Sequence, residues 1–171
     1  MTVDYKEDAL YQIRAFLWKQ LTEKGIFDLD EYYSENISSH INPIIPVQQT
    51  MEMNQFLSGK KHIVYDKIGI SYDPNWMICT EQILFTIYTV DYAELNEIRN
   101  LMIDQFRRMD DSARDMNYDS DVKSGKFKYH SIYIADISPT TPSQEMQGFL
   151  STDVIIEVKY SRNLDSKGRF L

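Results

Sequence analysis

The sequence predicts an α+β fold, with its elements in the order helix, arm, strand, strand, helix, strand, strand. Three stretches carry that reading. Residues 62–72 and 76–90 are two runs of strand character broken at Asp73-Pro74-Asn75, which is strong turn chemistry. Residues 91–109 repeat apolar side chains at helical spacing, and residues 127–137 and 150–160 alternate as strands do. At 171 residues, 43% of them hydrophobic and 13% aromatic, the chain is too apolar for disorder. A single domain over residues 1–161 is expected, burying roughly 70% of its unfolded surface, with a flexible tail at 162–171.

The formal charge of -8 works against nucleic-acid binding, which needs a concentrated Lys/Arg surface. The one cysteine, Cys79, lies inside an apolar run and reads as a small buried hydrophobe in a reducing compartment. No run approaches the roughly 18 apolar residues of a membrane span, and the first residues show no basic segment followed by an apolar one. A soluble protein, cytosolic where it is made, is expected.

Asp4 can cap the first helix with Glu7 as its box partner, and Ala9, Leu10, Ile13, Phe16, Leu17 and Leu21 then recur on one face. Gly25 after Lys24 is the stop signal. Residues 28–41 mix acids, tyrosines and small polar residues without a clean period, and are read as loop. In Pro43-Ile44-Ile45-Pro46-Val47 the two prolines cannot both donate to a central ladder, so this is an edge strand or an extended arm. Met51, Met53, Phe56 and Leu57 follow in a polar setting; such an arm either docks on a neighbour or covers its own core.

Ile63, Tyr65, Ile68, Ile70 and Tyr72 form the next strand, whose alternation slips near Asp66-Lys67 and suggests a bulge. The following run is apolar on both faces, with Cys79, Ile83, Phe85 and Ile87 against Trp76, Ile78, Leu84, Tyr88 and Val90, which predicts a central strand. Asp91 caps the second long helix with Glu94, Val90 is placed to staple to Leu95, and Tyr92, Leu95, Ile98, Leu101, Met102 and Phe106 make its buried stripe. Arg107 and Arg108 suit the negative pole of its dipole. Residues 110–126 are charged and read as a long exposed loop. Phe127, Tyr129, Ser131, Tyr133, Ala135 and Ile137 alternate with Lys128, His130, Ile132 and Ile134; Pro139-Thr140-Thr141-Pro142 ends that strand. Thr152, Val154, Ile156, Val158 and Tyr160 line one face of the last.

No chemistry emerges from the motifs. Asp115-Met-Asn117-Tyr-Asp119-Ser-Asp121 begins like a calcium loop, but the required Gly and Glu positions hold Ser120 and Lys126. His40, His62 and His130 lack ligand partners at metal spacing. There is no nucleophile elbow and the six glycines form no phosphate loop. Asn36-Ile37-Ser38 matches a glycosylation sequon without a secretory context. Asp110 and Asp111 are adjacent in sequence, which does not make a catalytic pair. No enzyme, metal or cofactor is expected; a small metal-dependent hydrolase using the acidic loop with His130 is the distant alternative. The surplus of Tyr, Phe and Met favours assembly, since these residues are enriched at protein interfaces.

The helix at 4–24, the arm Pro43-Ile44-Ile45-Pro46-Val47, the strand His62-Ile63-Val64-Tyr65-Asp66, the unit Ile83-Leu84-Phe85-Thr86-Ile87-Tyr88 leading into the helix at 91–109, and the strands at 127–137 and 150–160 together resemble tail terminator and tail completion proteins of tailed bacteriophages. The resemblance implies a mixed, mainly antiparallel four- to five-stranded sheet packed against two main helices, in the order α-β-β-β-α-β-β. It implies a homo-oligomeric ring, usually a hexamer, on the head-proximal end of the tail tube. Such a ring stops tube polymerisation and provides the joining surface to the neck. The partners implied are further copies of the chain, the tail tube protein, neck or connector proteins and, in contractile tails, the sheath. Neither sequence-specific nucleic acid nor membrane is among them, and the location is the virion after assembly in the host cytoplasm. Another neck, connector or baseplate role is the alternative. The long acidic loop departs from a compact member of that group.

Candidate contact residues follow from the less regular segments: Ile44, Ile45, Met51, Met53 and Phe56 on the arm, Arg107 and Arg108 at the helix end, Asp115, Asp119 and Asp121 on the acidic loop, and Arg162, Arg169 and Phe170 on the tail.

Overall fold

The computed structural model describes residues 9–74, 78–118, 127–163 and 166–168. The expected cap at Asp4 and Glu7, Trp76, the acidic residues Asp119 and Asp121, and Arg169 and Phe170 lie outside the described residues.

The first helix, α1, spans Ala9–Glu23 and buries Ala9, Ile13, Phe16, Leu17 and Leu21. It ends as its glycine requires. Gly25 takes φ 70°, its N–H donates to the Thr22 carbonyl at 3.0 Å, and the Ile26 N–H donates to that of Leu21 at 3.0 Å. These two bonds are the Schellman pattern, sealed by the buried Ile26 and Leu21. Residues 28–41, expected as loop, contain a 3-10 turn at Leu29–Tyr32 and a small hairpin of β1 (Tyr33–Ser34) and β2 (Ser39–His40). The turn is anchored by Tyr32, fully buried, whose hydroxyl donates to the Lys61 carbonyl at 2.6 Å.

β3 (Ile44–Pro46) pairs parallel with β4 (His62–Tyr72), and the short helix α2 (Thr50–Met53) lies between them in sequence. β5 (Ile78–Thr89) pairs antiparallel with β4 on one side and with β8 (Leu150–Arg162) on the other, so it is the central strand its two-sided apolarity predicts. β6 (Phe127–Ile137) closes the order β3-β4-β5-β8-β6, and β7 (Thr141–Pro142) adds two residues against β8. One parallel and four antiparallel pairings make the sheet mixed and mainly antiparallel.

The helix α3 spans Tyr92–Phe106, with Asp91 capping the Glu94 N–H. Leu95, Ile98, Leu101, Met102 and Phe106 are buried as expected, whereas Tyr92 is 54% exposed and Val90 is exposed as well. The stripe meets the core only from Leu95 onward, which leaves the proposed staple outside it. A second difference follows directly. Residues 110–118, read as part of an exposed loop, belong to the helix α4 (Met109–Tyr118), and Arg107 and Arg108 make the corner before it. Its buried face is only Ser112, Ala113 and Met116, too small a stripe to recognise in a charged segment. Those small side chains let it lie close against β6, and the Ser112 hydroxyl donates to the Gln105 carbonyl at 2.6 Å, tying the corner.

β6 also differs from simple alternation. Its register with β8 slips at His130 and again at Ala135, so the core face reads Phe127, Tyr129, Ile132, Ile134, Ile137, opposite Arg162, Tyr160, Val158, Ile156 and Val154. Two bulges thereby bring Phe127, Tyr129 and all three isoleucines of the strand to the helix side, where strict alternation would have sent Ile132 and Ile134 to the other face. β4 carries one bulge, at Ile68, one residue beyond the expected slip. Arg162, assigned to the tail, is the last residue of β8.

Helices α1, α3 and α4 cover one sheet face, with Phe16 and Phe106 in ring contact between α1 and α3 at 6.2 Å. The opposite face is helix-free over most of its area. No helix among the described residues is long and apolar enough to cross a membrane.

Candidate interaction surfaces

β3 pairs with only Ile63, Val64 and Tyr65 of the eleven-residue β4. Pro46 ends it there. Beyond Tyr65, β4 has no neighbouring strand on that side among the described residues. This distal part of the β4–β5 hairpin carries Ile68, Ile70, Tyr72 and Ile78, all of them exposed. Long apolar edge strands are what soluble proteins ordinarily cover or charge, because their backbone templates further strands.

Opposite Ile70 in this projection a charge is buried on the core face of the sheet. The Glu81 side chain is 2% exposed, lies 3.3 Å from the Lys67 ammonium and accepts a hydrogen bond from the Tyr160 hydroxyl at 2.8 Å. Its second oxygen is buried without a partner. Burial, reinforced by Cys79 and Glu81, holds Tyr160 as a neutral phenol. Burial also raises the Cys79 pKa, so the thiol stays protonated and packs as a hydrophobe, as its position in the sequence suggested.

β6 is the other edge of the sheet. Near its start the Asn117 amide of α4 donates to the Tyr129 carbonyl and accepts from the Tyr129 N–H, each at 2.8 Å, standing in for one residue of a further strand. After the bulge at His130 no described strand lies on that side.

The helix-free face is polar along its middle. Glu157 accepts from the Tyr133 hydroxyl and from Gln82 Nε2, the latter at 3.1 Å, and these bonds hold its carboxyl below the usual range. The Thr86 hydroxyl donates to Asp153 at 2.7 Å. At one end, α2 and residues 143–149 fold over a recess of about 180 Å³ lined by Ile45, His62, Val64, Tyr88 and Met146. His62 stacks on Tyr88 at 5.1 Å and meets the Phe149 ring edge-on. A carbonyl only accepts, so His62 Nδ1 donates to the Lys60 oxygen at 2.8 Å. Burial lowers the ring's pKa and keeps it neutral at pH 7. This makes a packed histidine rather than an acid-base pair.

The candidate contact residues are not brought together. Ile44 and Ile45 are buried in the chain's own core, which corrects the expectation that they dock outward: pairing with Ile63 and Val64 turns them beneath the helices and α2. Met53 and Phe56 are partly buried against that core, with the Lys60 ammonium 4.2 Å from the Phe56 ring centre. Of the five candidates on the arm, Met51, 91% exposed, is the one that stands out into solvent. Arg107 lies 3.9 Å from Asp104, and Arg108 3.9 Å from Asp111, as loose surface pairs. Asp115 is exposed on α4, and Arg162 sits over the Phe127 ring at 5.7 Å.

His130 is 2.9 Å from the Ser161 hydroxyl, and burial together with Lys128 and Lys159 lowers its pKa. Among the described residues no group of three or more His, Cys, Asp or Glu side chains could hold a metal ion.

The sequence reading missed the apolar hairpin edge, Asn117 and Glu81. Ile68, Ile70 and Tyr72 were legible as strand residues, but their exposure depends on how short β3 is, which only the pairing shows. A scan against models of protein families and a search of curated protein sequences each found no match.

Proposed function

We propose that this chain is a structural protein of a phage virion that assembles as a ring on the head-proximal end of the tail tube, arrests tube growth and offers the joining surface to the neck. The resemblance of its element order to tail terminators motivates the reading, and the α+β architecture is compatible with it. The observation that carries it is the pair of sheet edges. Each copy has a β4 edge lacking a neighbour strand beyond Tyr65 and a β6 edge lacking one beyond His130, among the described residues, on opposite sides of one sheet. Two unlike edges are what head-to-tail joining requires, and such joining closes into a ring when the rotation permits.

The negative charge of -8 is compatible with a subunit whose contacts are to protein and whose lumen passes DNA without adhesion. The test is capping. Purified protein added to growing tail tubes should bind tube ends and shorten the length distribution. Tubes that grow unchanged, with no protein at their ends in electron micrographs, rule the reading out.

A further inference from the structure

We infer that copies of this chain join through one defined strand pairing, the distal edge of β4 in one copy against the β6 edge after His130 in the next, antiparallel and with their bulges opposite each other. The inference rests on the self-assembly part of the proposed function and specifies its interface.

Strand direction permits the join. β4, β5, β8 and β6 are each antiparallel to the next, so β4 and β6 of one copy run in opposite senses. A second copy added in the same orientation therefore sets its β6 antiparallel to the first copy's β4. The alternation continues without a break.

Bulge spacing selects the partner. Along β4 the core-facing positions are Lys67, Ile70 and Tyr72, because Ile68 is the extra residue: Lys67 lies opposite Ile83, Ile70 opposite Glu81 and Tyr72 opposite Cys79. The steps are three and then two. Read backward along β6, the core-facing positions are Ile137, Ile134 and Ile132, because Ala135 is extra. Those steps are again three and then two. Setting Ile70 beside Ile134 places Lys67 beside Ile137 and Tyr72 beside Ile132, and every side chain keeps to its own face of the joined sheet.

Symmetric pairing fails the same test. Against a second β4, steps of three and two meet steps of two and three, and beyond Ile70 one strand presents its outer face to the other's core face. β6 against β6 fails identically. A one-residue slip of this kind exchanges buried for exposed side chains along the whole strand.

Both ends of the window match as well. In the inferred register Pro139, which has no N–H to donate, falls opposite Tyr65, where β3 already occupies the β4 edge. At the other end, β6 just before Ser131 is taken up by Asn117, as β4 reaches the turn at Asp73. The join covers Ile70, 50% exposed in the single copy, and Tyr72 with apolar side chains from β6.

Disulfide trapping tests the pairing, since residues directly opposite on antiparallel strands bring their Cβ atoms within about 5.5 Å. Ile70→Cys and Ile134→Cys are made singly and together in the full chain, with the unsubstituted protein, whose Cys79 is buried, as control. Oxidation of concentrated protein should convert the double variant into a ladder of multimers. An equimolar mixture of the two single variants should yield dimers only, and each single variant alone should stay monomeric. Ile70→Lys should abolish the ladder in the double variant carrying Tyr72→Cys and Ile132→Cys while leaving the circular dichroism spectrum unchanged. Absence of cross-linked species from the mixture overturns the inference, as does equal cross-linking by either single variant alone. A ladder without tube capping would leave the join standing and remove the terminator role; capping without a ladder would do the reverse.

Discussion

The side chain of Asn117 brackets the peptide group of Tyr129, donating to its carbonyl and accepting from its N–H at 2.8 Å each. An amide side chain has the donor and acceptor of a backbone peptide, so one residue of α4 both docks that helix on β6 and closes the sheet edge at that point. Asn117→Ala should cost about 1–3 kcal/mol, because both Tyr129 backbone groups lose a partner. Asn117→Asp should fall between, keeping the acceptor alone. Urea unfolding of the three proteins measures the difference; a loss under about 0.5 kcal/mol for the alanine variant would show that water satisfies the edge.

Two residues about two and a half turns apart on α3, and so on opposite faces, should respond differently to truncation. Leu101 is 9% exposed and sits in the core, so Leu101→Ala should cost about 2–5 kcal/mol. Tyr92 lies on the exposed first turn, and Tyr92→Ala should stay within about 0.5 kcal/mol. Thermal denaturation of both variants reports the boundary of the buried stripe.

The Lys67–Glu81 pair should show the asymmetry of a buried charge. Removing the cation with Lys67→Met strands the Glu81 carboxylate beside the Tyr160 hydroxyl. The expected cost is about 3 kcal/mol, the low end for a broken buried pair, because the Lys67 side chain is 31% exposed. Lys67→Met combined with Glu81→Gln should recover part of that loss, since the glutamine still accepts from Tyr160 and carries no charge. A double variant less stable than Lys67→Met alone would show that the charge is not what destabilises it.

Acid should weaken the fold through His62. Its folded pKa lies below the ordinary 6.5 because burial disfavours the imidazolium, outweighing the bond to the Lys60 carbonyl. The unfolded chain therefore binds the proton first, and stability present above about pH 6.5 is lost as the pH falls toward the folded value, by up to about 1.4 kcal/mol per pH unit. His130 is shifted the same way, so the comparison belongs in a His130→Gln background. There His62→Asn, which keeps a donor for the Lys60 carbonyl, should flatten the pH dependence of urea unfolding between pH 7 and 5. An unchanged slope would assign the acid sensitivity to other groups.

The sequence by itself determined what is local. Apolar period placed α1, α3, β4, β5 and β8, the Gly25 stop ended α1, and Asp91 with Glu94 began α3, because these signals act within one turn or one strand. Two-sided apolarity marked β5 as central for the same reason. Tertiary structure decided what depends on distant partners. α4 has almost no stripe of its own and is held by β6 and the Ser112–Gln105 bond, so its helicity is not written in residues 109–118. The bulges at His130 and Ala135 arise from register with β8, about twenty to thirty residues away along the chain, and they bring Ile132 and Ile134 to the core face while leaving Ile137 on it. The shortness of β3, which leaves the distal β4 edge without a neighbour among the described residues, likewise appears only once Ile44, Ile45 and Pro46 have found Ile63, Val64 and Tyr65. Periodicity states that a strand has two faces; only pairing settles which face is buried and which edge remains to be joined.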